Sequence, residues 1–439
     1  MSLINPTAQQ KKSLERWRLS TFWVMLIGYI GYYIGRGNLP VALPLLSKEF
    51  GYSNTDLGII LTLSELAYAL GKFTTGPLAD KVGGKLIFII GLVGAIVFNL
   101  LFPLFSSIFM FTVIWCFCRY FLSMGWGGII KTIGEWYEPE RNGTIMGIIS
   151  INFQFGSVFA SLFCSFLLML GFGWKALFYY PAMVMILVVI WAYFSSKESP
   201  HDLIPNVRFG RYAGHKDSLA HFKEAHGKRS AREILRGLLK IRMFRQILVF
   251  SFFTHLLRSI FLFWTPKFMV DMGMGQVAAA MTSAIFPLLG CLGTLFLGWY
   301  TDRHAKDGDR ARMMWKMLVG LVISLVIVAA LVPFKLEYQY ALVGFLGLAG
   351  FCLYGPYSMS SGCLTLDIAG SEAAGTCTGM IDGVGYIGGA LAAWGAGYLS
   401  DSLGWSQVFY VLAGFAVLSV LSAYVMSRAY QQDLKGEKV

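Results

Sequence analysis

Two arginines interrupt long apolar stretches of the sequence. Arg36 lies in Tyr29-Ile-Gly-Tyr-Tyr-Ile-Gly-Arg36-Gly-Asn-Leu-Pro40, and Arg258 follows His255-Leu-Leu. A charge at such depth costs roughly 2.5–3.5 kcal/mol on insertion scales, so it is retained where it faces a polar cavity. The guanidinium group stays charged and presents a planar fork of donors that fits phosphate or carboxylate oxygens two at a time. Arg258 stands 222 residues after Arg36, about half the chain. The spacing predicts that the two arginines face each other across a central site and clamp an anion. The rival reading, a structural ion pair for each, stays open at this stage.

Other ionisable residues share these apolar stretches. Lys72 stands seven residues after Glu65 and four after Tyr68, so the three share one face of a helix. Lys72 either contributes a third positive contact to a dianion, neutralises Glu65, or snorkels to the interface. Glu65 and Asp382 are carboxylates in otherwise apolar segments. Each either balances a cation, binds a cationic group of the substrate, or titrates. His255 is within reach of the same roles, and a pairing of Asp382 with His255 is one option. Arg119 and Lys131 are expected to reach lipid headgroups or to pair locally. Lys131, Glu135 and the Glu138-Pro-Glu140-Arg141 turn form a candidate gate cluster.

The elements that carry these residues follow from composition. Of 439 residues, 56% are hydrophobic and 14% charged, well under the quarter charged that soluble domains carry. Apolar runs of about twenty residues recur, each long enough to cross the roughly 30 Å hydrocarbon core. Twelve spans are expected at 19–44, 55–79, 86–105, 108–134, 142–170, 174–196, 245–270, 276–300, 312–333, 337–366, 372–399 and 405–430. The fold class is therefore an all-α integral membrane protein. At residues 197–244 a polar stretch rich in Lys and Arg interrupts the pattern, with a short amphipathic helix expected near Ile234, Leu235, Leu238 and Leu239. The domain reading is a six-helix bundle at 1–196, a basic cytoplasmic linker at 197–244, and a second six-helix bundle at 245–439.

The formal charge of +12 does not indicate nucleic acid. Lys11, Lys12, Arg16, Arg18, Lys81, Lys85, Arg303, Lys306, Arg310 and Arg312 fall in alternate connections, the bias that orients cytoplasmic loops. Both termini are expected in the cytoplasm. The seven cysteines all lie in apolar segments without metal-ligand spacing. No nucleotide-binding loop or catalytic triad is apparent, so neither an enzyme nor a cofactor is expected.

The halves repeat. Gly76-Pro-Leu-Ala-Asp80-Lys81 follows span two and Gly298-Trp-Tyr-Thr-Asp302-Arg303 follows span eight, again 222 residues apart; Gly173-Trp174 and Gly404-Trp405 are 231 apart. A duplicated six-helix unit with unequal loops accounts for both spacings. Twelve spans with Gly-x-x-x-Asp-(Lys/Arg) after spans two and eight resemble the major facilitator superfamily. Within it the chain is most similar to the organophosphate:phosphate antiporters: glycerol-3-phosphate and hexose-phosphate transporters, a hexose-phosphate sensor, and related sugar-phosphate carriers. The residues that carry this likeness are Tyr29-x-x-x-Tyr33-x-x-Arg36, Ala67-Tyr68-x-x-x-Lys72-Phe73, Gly125-Trp126, Leu256-Leu257-Arg258 with Trp264 and Pro266, Tyr354-Gly355-Pro356, and Ala373-Ala374-Gly375-Thr376 leading to Gly385-Tyr386-x-Gly388-Gly389.

The resemblance implies two pseudo-symmetric bundles and one substrate site between them, exposed alternately by rocking. It gives Arg36 and Arg258 the phosphate clamp, Lys72 the third basic contact, and Tyr29, Tyr33, Tyr68, Trp126, Tyr354 and Tyr386 the pocket lining. Glu65, Asp382 and His255 are left for coupling or charge balance. Gly76, Asp80, Lys81, Gly298, Asp302 and Arg303 become the gating motif. The implied protein is a monomeric exchanger of a small organic anion against phosphate in the bacterial inner membrane. Departures from the family pattern stand beside this. Phe153 replaces a span-five histidine, Ile149 and Ser150 replace an aromatic and an asparagine, His255 replaces a tyrosine, and Pro287 replaces an acid. They keep two rivals open: a proton-coupled importer of a carboxylate or zwitterion, and a sugar-phosphate sensor.

Overall fold

The chain runs through fifteen α-helices among its described residues, most packed side by side along one direction. The computed structural model describes all residues except 1–2, 139–144, 146–147, 150–151, 213–230, 305–308, 361–362 and 435–439. In the first half the helices are α1 (Ala8–Phe50), α2 (Asn54–Val82), α3 (Gly84–Leu101), α4 (Ile108–Leu122), α5 (Met124–Trp136), α6 (Asn152–Met169) and α7 (Ala176–Ser195). The short α8 (Ala231–Lys240) leads into the second half: α9 (Arg242–Asp271), α10 (Gln276–Ser283), α11 (Ile285–His304), α12 (Ala311–Leu331), α13 (Gln339–Ser360), α14 (Cys363–Ser402) and α15 (Trp405–Leu434). The pairs α4–α5 and α10–α11 are single passes bent at Ser123 and Ala284, so the passes number twelve.

Nine of these passes are long and apolar enough to cross a membrane on their own. The other three are α1, α6 and α14. Two of them hold the intramembrane charges singled out above: Arg36 in α1 and Asp382 in α14.

Helix ends differ from the expected spans where local signals outweigh hydropathy. α1 begins at Ala8 rather than residue 19, because Thr7 and Gln10 close a capping box there. α13 ends at Ser360 and α14 starts at Cys363, so the polar stretch around Asp367, expected as a loop, is helical in backbone. That stretch holds no proline and is rich in alanine. The expected surface helix appears as α8, with Leu238 buried and Leu239 exposed.

The duplication is visible in three dimensions. Trp174 Nε1 donates to Glu49 Oε2 at 2.6 Å, and Trp405 Nε1 donates to Asp271 Oδ2 at 3.0 Å. Asp271 stands 222 residues after Glu49. Each tryptophan, at the start of its half's last pass, ties to an acid at the end of the first pass. Gly51 and Gly273, also 222 apart, both turn with positive φ, 71° and 101°, a conformation that glycine adopts without a side-chain penalty.

The halves meet along three seams: α2 on α14, α6 on α10 and α11, and α1 on α9. Small residues let the backbones approach closely, as membrane helices require in the absence of a hydrophobic drive between them. On the face where α1 begins and α15 ends, the connection after α7 does not stay loose. Ile4 pairs with Val207 in a parallel bridge, Val207 and Phe209 are buried, and Arg211 Nη1 reaches Glu135 Oε1 at 3.2 Å. Residues 197–212 therefore pack on the first half, which composition alone had read as plain linker; residues 213–230 lie outside the described part.

A two-arginine chamber between the halves

Arg36 and Arg258 stand on facing passes, α1 and α9, and both come to rest on tyrosine rings. The Arg36 guanidinium lies 4.9 Å from the ring centre of Tyr33 and 5.5 Å from that of Tyr68. The Arg258 guanidinium lies 4.7 Å from Tyr357 and 5.6 Å from Tyr354. Such cation–π contacts hold a charge without neutralising it. Among the described residues neither arginine takes part in an ion pair. Arg258 is 3% exposed, and its Nε has no hydrogen-bond partner. The Tyr354 hydroxyl is likewise buried without one. Buried donors left unmade cost about 1–3 kcal/mol each unless a ligand or water meets them.

The surrounding rings close the chamber. Tyr68 and Tyr386, from α2 and α14, meet with centroids 4.8 Å apart and join the halves beside Arg36. Tyr29 packs on Tyr33 at 5.5 Å and on Trp126 at 5.8 Å. The Tyr354 ring occupies the space over Gly290, where any Cβ would come within 2.2 Å of it. Gln154 Nε2 donates to Thr294 Oγ1 at 3.3 Å, a polar link between the halves on the α6–α11 side. A cavity of about 40 Å³ beside Arg36 is lined partly by Ser157, Ser161 and Ser283 and by Pro287. A larger groove of about 550 Å³ between α2 and α4 is lined mainly by apolar residues such as Ile59 and Phe109, and holds none of the residues expected to act.

The carboxylates divide. Glu65 forms a buried ion pair with Arg119, at 1% and 2% exposure. This chooses between alternatives that the sequence left open. Arg119 does not reach lipid headgroups, and the helical face shared by Glu65 and Lys72 does not make them the pair. Arg119 also stacks on Tyr68 at 4.4 Å, so its charge is held under the same ring that supports Arg36. Lys72 Nζ lies 5.2 Å from the centre of the same ring. Asp382 faces His255, with Oδ1 4.0 Å from Nε2, and stands within electrostatic range of Lys72 and Arg258. The chamber thus holds one cation already neutralised, Arg119, and others that are not.

Sequence reasoning missed Tyr357, although it stands three residues after Tyr354, on the same helical face. It also missed the depth of Arg119. The gating motif is only partly visible: Arg303 is exposed and stacks on Trp299 at 5.2 Å, α11 leaves open space around Gly298, and the placement of Gly76 and of the Asp80, Lys81 and Asp302 side chains lies outside the described part. The same holds for the Phe153 side chain, for Ser150, for the side chains of 373–376 and for residues 139–141 of the turn that follows Glu138. Lys131 and Glu135 do pair, at 3.3 Å.

Comparison with known proteins gives the family. The profile described as Major Facilitator Superfamily matches residues 25–393. The chain is 27% identical to a probable hexose phosphate transport protein of Chlamydia pneumoniae, covering 94% of this chain and 91% of that protein. It is 28% identical to the glycerol-3-phosphate transporter of Bacillus subtilis, covering 93% and 91%. Among solved structures, a bacterial homologue of the human lysosomal transporter Spinster, inward-facing and unoccupied, superposes with a TM-score of 0.78 over 95% of this chain and 98% of that one, at 15% identity, a likeness of fold alone. A profile spanning most of the chain, together with twelve passes that repeat in space as in sequence, makes this integral membrane protein a member of the Major Facilitator Superfamily, a family of transporters rather than enzymes.

Proposed function

We propose that this protein carries a phosphate ester, a glycerol phosphate or sugar phosphate, across the bacterial inner membrane in exchange for inorganic phosphate. The observation that carries the reading is the pair of buried arginines from opposite halves, neither neutralised among the described residues, where Arg119 in the same chamber is. Two guanidinium forks match the oxygens of one phosphoryl group, and the orphaned Arg258 Nε and Tyr354 hydroxyl supply further donors. Lys72 adds a third positive contact. Tyr29, Tyr33, Tyr68, Trp126 and Tyr386 wall the organic part of the ligand, and Asp382 balances Lys72. The relatives named above are transporters of such esters by name.

The moving bodies are residues 1–196 and 245–439, joined through 197–244, of which 197–212 travel with the first body. The basic loops support a cytoplasmic position for both termini. Gly76, Asp80, Lys81, Gly298, Asp302 and Arg303 hold the cytoplasmic ends together when the site faces outward, and the carrier works as a monomer. An empty chamber brings two like charges together in a low-dielectric space, which opposes closure. A bound anion removes that cost, so each return needs a ligand, and transport becomes exchange. In proteoliposomes, glycerol-3-phosphate or glucose-6-phosphate outside should drive efflux of loaded phosphate, and Arg36→Gln/Arg258→Gln should abolish it. Full exchange by that double variant would overturn the proposal.

One observation supports a second reading. Asp382 is 18% exposed within the chamber and makes no hydrogen bond to His255 at 4.0 Å, so it is placed to accept an ammonium group or a proton. A proton-coupled importer of a carboxylate or zwitterion would show substrate-driven proton movement that disappears in Asp382→Asn. Phosphate exchange indifferent to a pH gradient decides for the exchanger.

A further inference from the structure

His255 is the buried titratable group with no settled part in this scheme, and its surroundings define one. It stands three residues before Arg258, as Tyr33 stands three before Arg36. Both rings sit in glycine notches of the facing pass. A Cβ on Gly156 would come within 2.5 Å of Tyr33, and one on Gly385 within 2.3 Å of His255. The repeat therefore places a ring at the same register in each half. In the first half that ring touches its arginine directly. In the second half Tyr357 makes the contact, and His255 makes contact with Tyr357.

The hydrogen bonds fix the imidazole's tautomer. Nδ1 lies 3.0 Å from the Ser251 carbonyl oxygen, which only accepts, so Nδ1 carries the proton. The Ser251 hydroxyl, 3.1 Å from Nδ1, donates instead to the Ile381 carbonyl at 3.0 Å. Nε2 is then a bare acceptor, and the Tyr357 hydroxyl, 3.3 Å away, donates to it. The other charged or titratable groups around the ring are Asp382 and Tyr386 on α14 and Arg258 on its own helix. The Asp382 carboxylate at 4.0 Å is too far for a hydrogen bond, and Tyr386 meets the ring edge-on at 5.5 Å. Arg258, one turn along, disfavours a second positive charge.

We infer that His255 is a neutral positioning residue: its Nε2 holds the Tyr357 hydroxyl and so fixes the Tyr357 ring beneath the Arg258 guanidinium, leaving Tyr354 as the tyrosine whose hydroxyl is free for the ligand. The inference rests on the phosphate-ester reading for its transport consequence, but not for its chemistry. It adds Tyr357 to the machinery and assigns His255 to geometry rather than to proton transfer.

Two measurements on the full-length protein test it. The first is the ¹⁵N spectrum of histidine-labelled protein in detergent, with His255→Gln identifying the His255 signals among the six histidines. The neutral tautomer protonated at Nδ1 is expected at both about pH 6 and about pH 8; an imidazolium, or the Nε2–H tautomer, at either pH overturns the inference. The second is exchange in proteoliposomes with glycerol-3-phosphate and inorganic phosphate as probes. Tyr357→Phe and His255→Ala should raise KM about two- to tenfold, the worth of one hydrogen bond, with maximal rate within about twofold. His255→Gln, whose amide can donate to Ser251 and accept from Tyr357, should restore KM. An unchanged KM in both Tyr357→Phe and His255→Ala, or a pH dependence that vanishes in His255→Gln, overturns the inference. Failure of the wild type to exchange either probe overturns the phosphate-ester reading instead, and the spectrum still decides the tautomer.

Discussion

The halves are clasped at the face opposite the chain ends, and one side chain makes most of the clasp. Asp401, at the end of α14, accepts from Asn54 N at 3.1 Å, from Thr55 N at 2.6 Å and from Thr55 Oγ1 at 2.7 Å; Asn54 Nδ2 also donates to Ser400 Oγ at 3.0 Å. A residue of the second half thus caps the first turn of α2, where unpaired N–H groups and the helix dipole favour a carboxylate. Among the described residues the corresponding start of α10 has no side-chain cap, so the α2–α14 seam is clasped where the α6–α10 seam is not. Losing a capping side chain costs about 0.5–2 kcal/mol. Three bonds to a carboxylate argue for the upper part of that range, and the exposure of Asp401 to water argues for a discount, leaving about 1.4 kcal/mol. That is about tenfold in the equilibrium between this state and one open at that face. If the open state is populated at about 1%, Asp401→Ala should raise it to about 10%, with Asp401→Asn in between because asparagine still caps. Spin labels at Phe105 and Leu403, exposed positions on that face in opposite halves, would report it by pulsed dipolar spectroscopy as a new long-distance population. An unchanged distance distribution in Asp401→Ala, or a shift to shorter distances, would refute the reasoning.

Other outcomes follow from the same contacts. Glu65→Gln leaves Arg119 buried and unpaired, so it should destabilise the protein by about 3–5 kcal/mol, read as a large fall in melting temperature in detergent; Glu65→Met/Arg119→Met, which removes both charges, should recover most of it. Glu198 Oε1 and Oε2 accept from Gly84 N and Lys85 N at 2.6 and 2.7 Å and cap α3, so Glu198→Ala should cost about 1–2 kcal/mol with exchange KM unchanged, measured by thermal unfolding beside transport.

Much of the fold was legible in the sequence because its causes are local or repeated. Apolar runs of bilayer length gave the passes, and a fixed 222-residue spacing paired Arg36 with Arg258, Asp80 with Asp302 and, once the structure is seen, Glu49 with Asp271. What sequence could not show was partnership across helices. Glu65 and Lys72 share a face of α2, but a buried carboxylate pairs with whichever cation the packing brings to it, and that cation is Arg119 on α4. Tyr357 was hidden for a similar reason: its role depends on His255 one helix away, not on its own neighbours. Residues 197–212 read as solvated linker from their charge, yet Val207 and Phe209 among them are buried. The Asp401 clasp carries no repeat signal, since the second seam lacks its counterpart.

The proposed clamp has Arg36 and Arg258 holding one anion together. Equilibrium binding of inorganic phosphate to purified wild type, Arg36→Gln, Arg258→Gln and the double variant tests it most directly, as a double-mutant cycle. Each bidentate, charge-assisted contact is worth several hydrogen bonds of about 1.5–3 kcal/mol, so either single variant should weaken binding at least about a hundredfold. The second substitution should then add much less than the first, because a clamp with one jaw gone no longer holds the ligand. Strictly additive losses, or phosphate binding within about threefold of wild type in either single variant, would contradict the claim.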